Sequence, residues 1–385
     1  MDIQQSSFIY RTLAYYFLAH AYVFWSLWRV LASGSRLRAV LWLLLPFFLA
    51  MGLFPLCFRL MSGWPVQRAF AMLGMYWQPA VFFSLLAFVV WDCFRVAAWG
   101  LRRLFRSLAG LRVGRGLAAA LLLLAALLYG YGLYEARVLR VTHIELRTSK
   151  LPPGHKGLRL AFVADIHLGP QLYRDLASSM VAKIAEYKPD CILLGGDILD
   201  DADQGTDENV QLLRGLKAPL GVYAVLGNHD AFGDAQKSAD FLKRSRVTLL
   251  SPGRVTTGPL LIAGVDDPRV SRQKGKPTYN PMPLLPKPGA KNYTIMLAHQ
   301  PVLKKAGIGR FDLQLSGHTH GGQLFFLRPL IESSFGTRTG LSTHSSQAGE
   351  STLYVTRGVG YSKLPIRLLT PPELVIIDLL PEPRP

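Results

Sequence analysis

Nine polar residues in the second half of the chain have the types and spacing for divalent-metal chemistry. Asp165 and His167 flank one residue, Asp197 follows Gly195-Gly196, and Asn228-His229-Asp230 follows Gly227; His299 stands alone, and His318 and His320 again flank one residue. Carboxylate, imidazole and amide oxygen suit borderline ions such as manganese, iron and zinc, and the absence of thiolates in the set argues against a purely structural zinc. Two ions about 3.5–4 Å apart need a shared ligand, and an aspartate can offer oxygen to both.

Elements must bring these residues together. Each group ends an apolar run: Val163-Ala164 before Asp165, Leu194 before Gly195, Leu226 before Gly227, Leu297-Ala298 before His299, and Leu315 before Ser316-Gly317. In open α/β sheets ligands bind beyond the carboxyl ends of strands, so five strand ends would pool their side chains on one rim. Gly169, Gly317, Gly321 and Gly322 would give the backbone room to turn there. Singly, Asp165 reads as a turn cap, Asp197 as an Asx-turn residue and His299 as a core histidine; their joint placement outweighs those readings. Asp200, Asp201 and Asp203 read as a solvated acidic loop.

The chain from 141 onward alternates short β-branched runs with amphipathic stretches, which predicts an α/β domain. Strands are expected at 158–164, 191–195, 222–226, 260–264, 294–298, 313–315, 352–356 and 374–379, and helices at 174–187, 208–216 and 235–245. Pro277, Pro281, Pro283, Pro286 and Pro288 make 274–291 a loop.

The first 140 residues differ: fourteen arginines and no lysine stand against three acidic residues, and all seven tryptophans fall in the first hundred positions. Four uncharged stretches, 12–28, 39–58, 69–91 and 116–134, approach the length that crosses about 30 Å of hydrocarbon. The expectation is two domains, a four-helix transmembrane region at 1–140 and a catalytic domain at 141–385, placed in a cell membrane. Arg95 to Arg115 crowd the loop before the last stretch, which puts that loop in the cytoplasm and the second domain outside. His20 lacks an acidic partner at helical spacing and reads as a packing residue. The net charge of +18 is concentrated beside apolar runs, so nucleic acid is not an expected partner. Three scattered cysteines give no disulfide framework.

The ordered set D-x-H, G-D, G-N-H-D, H, G-H-x-H resembles the calcineurin-like metallophosphoesterase superfamily, over roughly residues 141–380. The run His318-Thr319-His320-Gly321-Gly322-Gln323, with Gly264-Val265-Asp266-Asp267 and Arg357-Gly358-Val359-Gly360, resembles its exported or membrane-attached bacterial branch, which implies a bacterial inner membrane. The resemblance implies a four-layer α/β/β/α sandwich following the multi-pass α-helical anchor. It implies Asp165, His167 and His320 on a first metal and Asn228, His299 and His318 on a second, with Asp197 bridging. A hydroxide between two divalent ions would attack phosphorus in a phosphomonoester, phosphodiester or pyrophosphate. His229 would protonate the leaving oxygen, with Asp230 orienting its ring, and Arg357 would help meet the phosphoryl charge. A substrate carried on membrane lipid would share the anchor's surface. Two other readings compete: a cytoplasm-facing lipid pyrophosphatase similar to UDP-diacylglucosamine diphosphatase, and a catalytically inactive membrane receptor.

Overall fold

The computed structural model describes residues 3–31, 35–54, 57, 61, 66–169, 174–275, 280–362 and 364–382. Pro277 and the end of the 39–58 stretch, used above, lie outside them. Contacts divide the chain into two units, 1–133 with 363–366, and 134–362 with 367–385.

The first unit holds α1 (Ile3–Leu31), α2 (Ser35–Gly52), α3 (Gln67–Leu104) and α4, which begins at Arg115 and runs to Glu135. Their inward faces share Val23, Phe48, Phe88 and Trp91. Among the described residues, nearly all the exposed large apolar side chains fall between Tyr15 and Tyr134, Leu43 at 79% and Leu104 at 76% among them. Two of the four expected spans have the length and hydropathy to cross a membrane, Ala69–Leu104 and Arg115–Glu135. In α1 the interfacial rings of Tyr15, Tyr16, Tyr22, Trp25 and Trp28, together with His20, dilute the apolar run. The apolar part of α2, Ala39–Gly52, is shorter than a span requires. His20 is a satisfied packing residue: Nδ1 lies 2.6 Å from the Tyr16 carbonyl, and Nε2 accepts from Trp77 Nε1 at 2.9 Å.

The second unit is built on two six-stranded sheets. The first contains β1 (Arg140–Thr148), β2 (Leu158–Val163), β3 (Cys191–Leu194), β4 (Val222–Ala224), β5 (Thr248–Leu249) and β12 (Glu373–Pro381), in the order β1-β12-β2-β3-β4-β5. The second contains β6 (Gly253–Thr257), β7 (Leu260–Val265), β8 (Tyr293–Ala298), β9 (Leu313–Ser316), β10 (Gly340–Ser346) and β11 (Gly349–Val355), in the order β10-β11-β9-β8-β7-β6. Strand residues of the first sheet alternate between two cores, as a period of two requires. Ala161, Val163, Ile192, Leu194 and Leu226 belong to the core that includes Met180 and Ile184 of α5 (Arg174–Tyr187), Leu213 of α6 (Asp207–Leu213) and Phe241 of α7 (Ala235–Arg244). Leu160, Phe162, Leu193 and Val225 face the other way and join Ile262, Leu297 and Leu315 of the second sheet. Both faces of β2 and β3 are therefore buried, which explains their unbroken apolar sequence.

The fourth layer departs from the expected sandwich. A small cluster of Ala263, Met296 and Phe311 on the second sheet packs with Leu284, Leu285 and Leu303. Leu284 and Leu285 belong to the proline-rich 280–288 segment, where the missing N–H groups prevent a regular helix. The short helix α8 (Pro268–Gln273) places its Val270 in the core of the first sheet instead.

Candidate metal centre

Three of the chemical groups follow strands of the first sheet, β2, β3 and β4, and two follow β8 and β9 of the second. The rim is thus shared by two sheets rather than formed by one. Main-chain bonds splice the strand ends together: Asp165 N–H donates to the Gly196 carbonyl at 2.9 Å, His167 N–H to Asp197 at 3.0 Å, and Gly317 N–H to His299 at 2.9 Å.

The backbone turns through the candidate ligand positions themselves. Asp165, His167, Asp197, His318 and His320 have φ of +54°, +50°, +50°, +71° and +49°. Side chains other than glycine rarely adopt this left-handed region, at a cost of about 1–2 kcal/mol each, and such strain concentrates at functional sites. Gly321 and Gly322 share it, at +59° and +79°. Gly317 serves a different need, because a Cβ there would overlap the Asp165 carboxylate.

The side chains converge in groups that could each hold a metal ion: Asp165, His167 and His320; Asp197, His299 and His318; and His167, Asp197 and His229. His167 Nε2 lies 3.2 Å from His320 Nε2, and His299 Nε2 lies 3.2 Å from His318 Nδ1. Asp197 Oδ2 faces both pairs, 3.2 Å from His299 Nε2 and 3.8 Å from His167 Nε2. The Asn228 Oδ1 atom is buried without a hydrogen-bond partner among the described residues. A buried acceptor without a partner, in the residue before His229, is costly unless a cation satisfies it. The donor set therefore fits divalent ions.

Outer contacts fix the rings. His299 Nδ1 lies 2.9 Å from the Gly195 carbonyl, and His167 Nδ1 lies 3.2 Å from Asp200 Oδ1, which leaves each Nε2 free for a ligand. His318 N–H donates to both Asp165 oxygens, at 2.9 and 3.0 Å.

The partner of His229 differs from expectation. Asp230 turns away and accepts the backbone N–H groups of Gly227, Ile198 and Leu199 at 2.8, 3.0 and 2.8 Å, so it braces two loops. The His229 ring instead meets Asp200, with Nδ1 3.1 Å from Oδ1 and 3.1 Å from the carbonyl. Arg357 is committed to Glu373 at 2.6 Å. A residue that sequence reasoning did not single out, Arg367, is fully buried behind the ligands. It donates to the carbonyls of His320, Arg357 and Thr370 at 3.2, 2.7 and 3.1 Å and to that of Gly360, while its Nη2 lies 3.3 Å from His320 Nδ1. Gln323 is held by the Ser362 backbone N–H at 2.9 Å, and Asp267 caps α8, accepting from Arg269 N–H at 2.8 Å. A cavity of about 140 Å³ opens beside His299, lined also by Asp266, Asp267, Gln300 and Lys304.

Burial and charge divide the imidazoles. Burial pulls His299 down, but Asp197 and Asp165 outweigh it and raise it to about 10. Burial and the neighbouring positive rings push His318 down to about 3 and His320 well below its ordinary value. His229 is raised: its burial is outweighed by Asp200 and Asp197. Burial and the Asp197 charge lift Asp230 to about 6. At neutral pH His318 and His320 thus present lone pairs, whereas His299 carries a proton that a metal must displace. Metal binding at pH 8 should release about one proton, and affinity should climb as pH rises toward 10. Calorimetric titration with manganese in buffers of different ionisation enthalpy measures this; uptake without proton release would contradict the His299 assignment.

Residues 158–322 match the family model of the calcineurin-like phosphoesterases. A metallophosphoesterase of Aquifex aeolicus is 35% identical over 258 residues, covering 66% of this chain and 97% of its own length. The chain belongs to the calcineurin-like phosphoesterase family. Membership makes it a metal-dependent hydrolase of phosphoric esters. The Bacillus subtilis metallophosphoesterase YkuE is 32% identical over 65% of this chain and 89% of its own. A zebrafish relative, named as a transmembrane protein with a metallophosphoesterase domain, is 32% identical over 67% of this chain and 61% of its own length. All five strand ends of this calcineurin-like centre lie within the matched residues 158–322.

Proposed function

We propose that the protein is a membrane-anchored phosphoesterase with two metals, and that Asp165, His167 and His320 hold one ion, Asn228, His299 and His318 the other, with Asp197 between them. The observation that carries this reading is one Asp197 oxygen facing both nitrogen pairs; the buried, unpartnered Asn228 oxygen adds to it. Two divalent ions supply Lewis acidity at phosphoryl oxygens and lower the pKa of water toward neutrality. His229, whose protonated form Asp200 favours, donates to the leaving oxygen. Asp200 sets the ring's orientation, and Asp230 and Arg367 fix the loops. The substrate class is a phosphomonoester, phosphodiester or pyrophosphate, and manganese, iron and zinc all suit the donors. The purified full-length protein should hydrolyse aryl phosphomonoesters or phosphodiesters once manganese is supplied, in a panel that also includes lipid substrates. Absence of turnover on every substrate, with both ions bound, would favour a binding module.

The membrane reading is supported by the two long apolar helices, by the band of exposed apolar side chains, and by the transmembrane relative's name. The six arginines from Arg95 to Arg115, which span the end of α3, the segment after it and the start of α4, favour a cytoplasmic position for that region and an extracytoplasmic second unit. A carboxyl-terminal alkaline phosphatase fusion should then be active and a fluorescent-protein fusion dark. The reverse pattern would place the centre in the cytoplasm and favour the lipid-pyrophosphatase reading.

A further inference from the structure

Within the first unit, far along the sequence from every proposed ligand, α1, α3 and the segment before α4 line an open concavity of about 600 Å³. Its walls include Arg29, Arg95, Arg102, Arg112, Asp92 and Trp99. Four arginines and one aspartate thus line it, and the aspartate's carboxylate is fully used. Asp92 Oδ1 accepts from Arg29 Nη1 and Arg95 Nη1, each at 2.9 Å, and Oδ2 accepts from Arg29 Nη2 at 2.7 Å and the Tyr22 hydroxyl at 2.8 Å.

This pairing makes a fixed frame. Arg29 lies 3.8 Å over the Trp25 ring and 5.0 Å from that of Trp91, and Arg95 lies 4.9 Å from Trp91. Arg102 and Arg112 have no ion pair or hydrogen bond among the described residues. They bring uncompensated positive charge to a concave, partly apolar wall. Such charge attracts a compact anion with several oxygens, and the planar guanidinium fork matches a phosphate bidentately.

The depth of the cavity narrows the source. Asp92 directly follows the uncharged run from Ala69 to Trp91, 23 residues, or about 34 Å of helix. On the membrane reading above, on which this placement rests, the arginines therefore stand where the hydrocarbon ends and head groups begin. Trp99, with Arg103 5.3 Å from its ring, is an aromatic of the kind that settles at that level.

We propose that this cavity is a second, non-catalytic site that binds a phosphate-bearing anion at the membrane interface: the phosphomonoester or diphosphate of an acidic lipid head group, or the same group free in solution. Basic pockets between membrane helices take such head groups by the same forces. The site shares no residue with the proposed metal ligands, so losing it leaves the catalytic set intact.

Full-length protein is reconstituted in nanodiscs of phosphatidylcholine with phosphatidic acid, and retained lipid is counted by native mass spectrometry. In parallel, detergent-solubilised protein is titrated with pyrophosphate and its melting temperature followed. The wild type should retain phosphatidic acid over phosphatidylcholine. The double variant R102Q/R112Q, which leaves the Arg29–Asp92 frame in place, should lose that preference by about tenfold or more, the size of one charge-assisted hydrogen bond lost. Unchanged hydrolysis of an aryl phosphate by this variant confirms that it is folded. A variant-sensitive shift with pyrophosphate but no lipid preference identifies the soluble anion as the source and supports the site. Equal lipid retention by the two proteins, with the same pyrophosphate shift or none in both, overturns it. Failure of the protein to enter nanodiscs would remove the membrane reading while leaving the pyrophosphate arm to decide the site.

Discussion

Changing Asp197 to asparagine is expected to abolish hydrolysis and strip most of the bound metal in the same variant. Its Oδ2 is the one carboxylate oxygen that approaches both nitrogen pairs, and its Oδ1 accepts the His229 backbone N–H at 2.7 Å. An amide keeps that backbone contact but brings no negative charge to two cations. Losing both ions removes several kcal/mol of transition-state stabilisation, which at 1.36 kcal/mol per tenfold is about a thousandfold or more in rate. Metal analysis and turnover on one preparation check this. Full activity with two ions retained would take Asp197 out of the bridging position.

His229→Asn should separate chemistry from metal binding. Turnover should fall by roughly 10²- to 10⁴-fold, the usual worth of a positioned general acid, while both ions stay. A general acid must carry its proton, and Asp200 with Asp197 holds His229 above its ordinary pKa. Wild-type turnover should therefore decline as pH rises through that raised value, and the variant should lack the decline. The grouping of His229 with His167 and Asp197 gives this experiment a second edge, since metal loss in the variant would make His229 a ligand.

The candidate ligand positions stood out in the sequence because each follows a buried apolar strand, where a polar side chain has no packing role. The strands themselves were legible for the same reason: Leu158–Val163 and Tyr293–Ala298 are buried almost throughout. Asp200 was hidden in an acidic run whose other members are ordinary. Asp201 caps a short turn, accepting from Asp203 N–H at 3.1 Å, and Asp203 pairs with exposed Lys237. What distinguishes Asp200 is contact with two rings from other strand ends, and that exists only after folding. Asp230 was misjudged by adjacency, for its neighbour in sequence is His229 while its partners are the main-chain N–H groups of two loops. Arg367 gave no sign because its acceptors are chiefly carbonyl oxygens, which every residue carries. Of the strands missed, β10 is an edge strand of Ser and Thr without apolar alternation, and pairing with β11 decides its conformation. β1 follows the last apolar helix closely, and its basic residues draw attention to the membrane instead of to its register with β12.

The central claim is a binuclear centre that hydrolyses phosphoric esters. Its most direct test is a titration of metal-free, full-length protein with manganese, in which bound ions per chain and hydrolysis of an aryl phosphate are followed together. The expected result is negligible turnover without metal, little with one ion, and full turnover as the second ion binds. Full turnover after chelation, or a maximum reached at one ion per chain, would contradict it.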